Sequence, residues 1–196
     1  MKKLQLGTGT SIKEGWINTD GDPSYVRNPE LRKQLTILDV TKPFIYEDNS
    51  IDFIYSEHMI EYITHEQGLF MLSECYRILK PGGVTRIATP NIDFIMNLTQ
   101  PTEDNDHYIE FIARFSTIKP EPIHIINNAF RNWGHQFLYD NETLIESGIY
   151  AGFDEYQNTI YGVSIHPELN NIEQHGRQIK NERIAKLETI IVEFTK

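Results

Sequence analysis

At 196 residues, 39% hydrophobic and 11% aromatic, the chain is long enough for one domain with a sizeable core and too short for two large ones. Its 18 Lys and Arg against 28 Asp and Glu leave a formal charge of −10 with no basic cluster, which excludes a nucleic-acid footprint, because neutralising phosphates takes clustered cations. No apolar run reaches the roughly 18 residues of a membrane span.

The first strand, Leu4 to Leu6, begins at once, so no signal peptide is expected. The lone cysteine, Cys75, has no internal disulfide partner and reads as core, and the expected setting is reducing and cytoplasmic. Further short buried strands read as Trp16 to Thr19, Thr36 to Asp39, Ile51 to Tyr55 and Val84 to Ala88. Between the second and third, Asn28-Pro29-Glu30 has the chemistry of a helix start: a capping side chain, a proline at the first helical position and an acid in the first turn. After the fourth, Glu66 to Lys80 predicts a helix with Leu69, Leu72, Tyr76 and Leu79 on one face, stopped by Lys80-Pro81-Gly82-Gly83. Residues 91–139 are too long for a simple connection and are expected to cover the ligand face as a lid or substrate-binding insertion of a single 1–196 domain. A helix over Asn141 to Ala151, a strand over Glu155 to Tyr161, a polar stretch from His166 to Asn181 and a strand over Leu187 to Phe194 complete the chain. The two late strands are expected to pair antiparallel at one sheet edge.

Strands alternating with helices make an α/β fold with a mostly parallel sheet, whose ligands sit beyond the carboxyl ends of the strands. The turn after the first strand is Gly7-Thr8-Gly9, and only nine residues, Gly7 to Gly15, separate that strand from the next. A parallel crossover normally takes a dozen or more. Ile12 stands where a dinucleotide-binding loop has its third glycine, and a pyrophosphate needs the following helix N-terminus. Backbone and short polar groups at Gly7, Thr8, Gly9 and Thr10 suit instead the amino-acid end of S-adenosylmethionine, which carries no phosphate.

The other strand ends complete a donor site. Asp20 can accept both ribose hydroxyls, and Asp39 with the Val40 amide can meet the adenine edge. Ser56 stands where donor and acceptor should meet. Methyl transfer is an in-line displacement that gains from alignment, and a hydroxyl acceptor must also lose a proton. His58 and His135 are the candidate bases, whereas His107 and His124 read as surface or packing residues. Trp133, Tyr139, Tyr108 and Phe111 are candidates for stacking on a sugar or aromatic acceptor. No His or Cys spacing matches a zinc site, and no metal is expected.

The stretches LQLGTGT…GWINTD, TILDVTKPFIYEDNSIDFIYSEHMIEYI and ECYRILKPGGVTRIATPN resemble class I S-adenosylmethionine-dependent methyltransferases, in particular a bacterial branch associated with surface-polysaccharide and glycan pathways. The resemblance runs over residues 3–98 and more loosely over GHQFLYDNETLIESGIYAGF. It implies a Rossmann-like three-layer fold with a seven-stranded sheet in the order 3-2-1-4-5-7-6 and strand 7 antiparallel. It also implies donor contacts at Gly7, Thr8, Gly9, Asp20, Asp39, Val40 and Ser56. Two positions depart from the family pattern: Gln5 replaces a common acid, and Glu61-Tyr62 replaces Glu-His. The N-terminal helix of many relatives is not seen in the sequence, which leaves one flank open to a second subunit, as in a homodimer. The function expected is methyl transfer to a hydroxyl or amine of a small molecule or glycan. The alternatives are a catalytically weak donor-binding or assembly module on the same fold and, less favoured, a NAD-linked sugar enzyme.

Overall fold

The computed structural model describes residues 1–117 and 119–196. In chain order the strands are β1 (Lys3–Leu6), β2 (Ile17–Asp20), β3 (Leu35–Ile37), β4 (Ile51–Glu57), β5 (Leu79–Pro90), β6 (Glu155–Thr159) and β7 (Thr189–Thr195). The helices are α1 (Pro29–Arg32), α2 (His65–Ile78), α3 (Ile92–Met96), α4 (Glu103–Ala113), α5 (Pro122–Arg131), α6 (Asn141–Tyr150), α7 (His175–Gln178) and α8 (Glu182–Glu188). All seven strands form one sheet in the order β3-β2-β1-β4-β5-β7-β6. The pairs from β3 to β5 are parallel, and β7 runs antiparallel to both β5 and β6. This is the expected topology.

Local chemistry sets most boundaries. The Asn28 side chain accepts from the Glu30 amide at 3.0 Å, starting α1 at Pro29. Thr64 and Gln67 close a reciprocal capping box on α2. The face α2 buries is Gly68, Met71, Leu72, Cys75 and Ile78, with Leu69 and Tyr76 only partly covered. Gly68 sets that rotation, since a Cβ there would lie 2.4 Å from the Tyr139 hydroxyl and 3.6 Å from Ile60. Leu79 belongs to β5 rather than to the helix. Residues 80–83 bulge out of that strand, because the β4 register jumps from Ile51↔Leu79 to Phe53↔Val84. β3 ends two residues earlier than expected, where Asp39 turns back to bind Thr41. Leu187 and Glu188 close α8, so β7 begins only at Thr189.

Residues 7–16 contain no helix. The short crossover is closed by one side chain: Asn18 accepts from the Lys13 amide at 2.9 Å and donates to the Lys13 and Trp16 carbonyls at 3.0 Å each. A distant part of the chain covers the face a crossover helix would occupy. Leu169 and Ile172 pack with Trp16, Phe53, Tyr55 and Val84. Lys13 reaches across to the Ile172 carbonyl at 2.6 Å with its ammonium 4.9 Å from the Tyr55 ring centre, and burial draws its pKa down to about 8 against the attraction of Glu57 and Glu173. The polar segment after β6 thus replaces the helix missing after β1. α2 and α6 pack on the opposite face over the main core, which includes Cys75 and Tyr139.

The described residues of 91–139 are mostly helical. α3, α4 and α5 enclose a second core of Ile95, Leu98, Tyr108, Phe111 and Ile125, closed by Ile184 of α8. Among the described residues no helix is long and apolar enough to cross a membrane.

Candidate functional site

A cavity of about 1280 Å³ lies over the carboxyl ends of β1, β2, β4 and β5, bounded on its far side by the α4 and α5 helices and the residue 175–188 segment. Its donor-side wall gathers Gly7, Thr8, Gly9, Asp20, Asp39 and Val40. Gly7 and Gly9 both take left-handed backbone conformations, φ 61° and 56°, which only glycine adopts without strain. Gly7 is closed from behind by Met59, whose Cγ lies 2.2 Å from where a Cβ would sit.

Asp20 is buried, and it organises this wall. Its Oδ2 accepts from the Gly9 amide at 2.9 Å and from the Tyr25 hydroxyl at 2.7 Å, and its Oδ1 accepts from the Asp22 amide at 3.2 Å. The Asp39 carboxylate holds the Thr41 amide at 3.0 Å, the Thr41 hydroxyl at 2.6 Å and the Lys42 ammonium at 2.9 Å. Those bonds, Thr41's foremost, lower its pKa to about 2. Ser56 is placed differently from the other expected donor residues. It points into the core from β4, its hydroxyl is buried without a hydrogen-bond partner, and it is not on the cavity wall. Its neighbours Glu57, His58 and Met59 are on the wall instead.

Two buried polar atoms on this wall lack hydrogen-bond partners: Gln5 Oε1 and Thr8 Oγ1. A buried polar atom left unmatched costs about 1–3 kcal/mol, so such atoms beside a cavity have hydrogen-bonding capacity to offer a ligand. An amide oxygen that accepts and a hydroxyl that donates fit the ammonium and carboxylate of an amino-acid moiety. The residues present therefore fit the amino-acid end of S-adenosylmethionine.

His58 also stands in a left-handed conformation, φ 46°, with its amide bound to the Ala88 carbonyl at 2.9 Å. Its Nε2 lies 3.2 Å from the Thr189 hydroxyl and its Nδ1 lies 3.6 Å from the fully buried Glu61 carboxylate. Burial by itself would lower the His58 pKa, but Glu61, with Glu188 and Glu57 beyond, outweighs it and the net shift is upward. His135 also lines the cavity, from the opposite wall, its Nδ1 donating to the Ala129 carbonyl at 2.9 Å and its ring set edge-on to Tyr62 and Trp133. Tyr108, Phe111 and Trp133 are wall residues, whereas Tyr139 is core. His124 caps α5, accepting from the Glu121 amide, and His107 is half-buried on α4. Among the described residues no three His, Cys, Asp or Glu side chains are grouped to hold a metal ion.

Sequence patterns did not point to Tyr25, His175 and Glu188. The last two lie in or beside the polar stretch, where no periodicity marks which residue turns inward. Glu57 caps the start of α7, accepting from the amides of Gln174 and His175 at 2.9–3.0 Å, and so ties that stretch to the end of β4.

The strand order, the helix-free glycine turn and the acid at the end of β2 can now be set beside known proteins. A family model described as a methyltransferase domain matches residues 8–87. The fold is that of the class I S-adenosylmethionine-dependent methyltransferases. S-adenosylmethionine is the cofactor that match and fold imply. Among solved structures, an S-adenosylmethionine-dependent methyltransferase from Archaeoglobus fulgidus superposes with a TM-score of 0.57 at 18% identity, over 100% of this chain and 86% of that one. One from Thermotoga maritima gives 0.55 at 18% identity, over 100% and 82%. A Haloferax volcanii methyltransferase structure determined with the Trm112 methyltransferase activator gives 0.54 at 19% identity, over 99% and 81%. No curated protein matches by sequence. The methyltransferase domain match ends within β5, whereas the superpositions run on to the end of the chain.

Proposed function

We propose that the protein transfers a methyl group from S-adenosylmethionine to a hydroxyl or amine of a small molecule or sugar unit. The observation that carries this reading is the pair of unpartnered buried atoms, Gln5 Oε1 and Thr8 Oγ1, beside a glycine turn with no helix behind it. That wall offers hydrogen bonds to a zwitterion and nothing for a pyrophosphate. Bound there, the donor supplies an electrophilic methyl group on a sulfonium sulfur.

The chain's residues would divide the work as follows. Gln5, Thr8 and the glycine turn hold the methionine end. Asp20 takes the ribose hydroxyls in place of the Tyr25 hydroxyl. Asp39 and Val40 border the adenine. Residues 91–139 act as the lid, with Tyr108, Phe111 and Trp133 giving the acceptor apolar surface to lie on. Excluding water around the sulfonium and aligning the acceptor are the chief contributions such a cavity makes. His58 and His135 both border the space and keep a histidine within reach of the acceptor's proton.

Calorimetry with S-adenosylmethionine and S-adenosylhomocysteine tests the reading. Both should bind at micromolar strength, and Asp20→Ala should weaken both by about tenfold or more, the worth of hydrogen bonds to a charged group. Absence of heat with either ligand would remove it. Binding without transfer of tritium from labelled donor to any hydroxyl or amine would favour a donor-binding module instead.

A further inference from the structure

His175 of α7 comes to lie on His58 at the end of β4, and only His58 was visible in the sequence as a candidate. The His58 and His175 rings are stacked, centroids 3.9 Å apart and planes 26° from parallel. Each has its own carboxylate. Glu61 stands behind His58, and Glu188 Oε1 lies 2.7 Å from His175 Nε2. Glu188 is in turn fixed by the Tyr108 hydroxyl, which donates to its Oε2 at 2.8 Å, and its backbone carbonyl accepts from the Asn91 amide at 2.7 Å. His175, Glu188, His58 and Tyr108 all line the cavity.

The two rings differ in what their nitrogens can do. His58 has protein groups at both: Thr189 at Nε2 and Glu61 at Nδ1. In His175 the carboxylate can only accept, so Nε2 carries the hydrogen and Nδ1 keeps the lone pair. No described residue hydrogen-bonds that Nδ1. A carboxylate behind one imidazole nitrogen, with the other nitrogen open to a cavity, is the arrangement that makes histidine a proton acceptor. Its place over the ends of β4 and β5, at the middle of the sheet, is also where a ligand of this fold class lies.

We propose that His175 is the general base of the transfer, with Glu188 holding its tautomer and the His58 stack fixing its plane. The inference rests on the methyltransferase reading above. In the step, the acceptor's oxygen or nitrogen bonds to the methyl carbon as the carbon–sulfur bond breaks, and that bond pair stays on sulfur. The proton shed by the acceptor goes to Nδ1 of His175, giving an imidazolium beside Glu188. Glu188 and Tyr108 are positioning residues. The titratable groups facing the His175 ring are Glu188 from α8, His58 and Glu57 from the end of β4, and Tyr108 from α4 through Glu188.

Three measurements on the full chain test this. Transfer from tritiated S-adenosylmethionine to 4-nitrocatechol and to tyramine supplies a hydroxyl and an amine probe. His175→Gln and His175→Asn should lower kcat by about 10²-fold or more, the usual worth of a positioned base, and should abolish the fall in rate at acid pH. Their affinity for S-adenosylhomocysteine should stay within about threefold of the wild type, a difference too small to reflect a lost contact. Glu188→Gln should lower kcat more than it changes KM. Imidazole nitrogen NMR should show the neutral His175 ring with hydrogen on Nε2 and a bare Nδ1, and a mixture of tautomers in Glu188→Gln. His175 variants with more than a third of the wild-type rate, or hydrogen on Nδ1 in the wild type, overturn the proposal. If the wild type binds S-adenosylhomocysteine but methylates neither probe, the tautomer measurement decides alone. If it binds no donor, the methyltransferase reading itself has failed.

Discussion

Glu173→Ala tests whether the polar segment after β6 truly stands in for the missing crossover helix. Arg86 of β5 is fully buried beneath that segment. Its Nε donates to Glu173 at 2.6 Å, its Nη1 to Glu193 at 2.6 Å and to the Val163 carbonyl at 2.9 Å, and its Nη2 to the Ile160 carbonyl at 3.2 Å. Glu173 also accepts from the Gly162 amide at 3.0 Å, so it pins the segment at two points. Removing one partner of a buried ion pair costs about 3–5 kcal/mol, because the charge left behind stays desolvated. Here Glu193 and two carbonyls remain on the guanidinium, which places the loss near the lower end, about 3 kcal/mol. For a chain of this size each kcal/mol moves the melting temperature by about 2–4 °C, so a fall of about 6–12 °C is expected. Calorimetric melting and urea unfolding followed by near-ultraviolet circular dichroism both read it. S-adenosylhomocysteine affinity should fall as well, since Glu57 ties Gln174 and His175, the residues that follow, to the cavity. A loss under about 1 kcal/mol, the ordinary effect of an exposed substitution or surface pair, would refute the argument.

Other perturbations follow from the same structure. Tyr25→Phe frees the Asp20 oxygen held at 2.7 Å, so S-adenosylhomocysteine should bind more tightly by calorimetry, and weaker binding would mean that the hydroxyl helps hold the donor. Gly148→Ala would set a Cβ 2.1 Å from Phe194, and overpacking of this kind costs about 1–3 kcal/mol, more than the helix propensity it gains; a raised melting temperature would contradict it. His58 holds its proton to higher pH in the folded chain than in the unfolded one, because Glu61 more than offsets its burial. The stability it contributes is therefore full below the unfolded value of about 6.5 and is lost as pH rises through the raised native value. The melting-temperature gap between wild type and His58→Gln should narrow on going from about pH 6 to about pH 9, and a gap that widens would reverse the assignment.

Much of the architecture was readable because it is local. Asn28-Pro29 marks a helix start through a short-range hydrogen bond and a fixed φ, and the helix expected from Asn141 is capped by the neighbouring Asp140. Alternation and turn residues mark the strands, and the count of residues between Leu6 and Ile17 leaves no room for a helix. Errors arose where a distant segment decides the outcome. The inward face of α2 is turned by Gly68 meeting Tyr139, seventy-one positions along the chain. The KPGG turn is absorbed as a bulge because β4 and β5 pair beyond it. Ser56 sits at the expected strand end, but the alternation of β4 sends its side chain to the core and that of Glu57 to the cavity.

By itself the amino-acid order determined the strand sequence, the bare glycine turn and the acids that follow the strands, since each depends on residues within a few positions of one another. Tertiary structure alone decided what fills the space behind that turn and which histidine comes to stack on His58. Both depend on residues 160–188 returning across the sheet, and a polar stretch carries no periodic signal of where it will come to rest. Its side chains acquire their partners, Arg86 for Glu173, His58 for His175 and Tyr108 for Glu188, only when the sheet has closed beneath them.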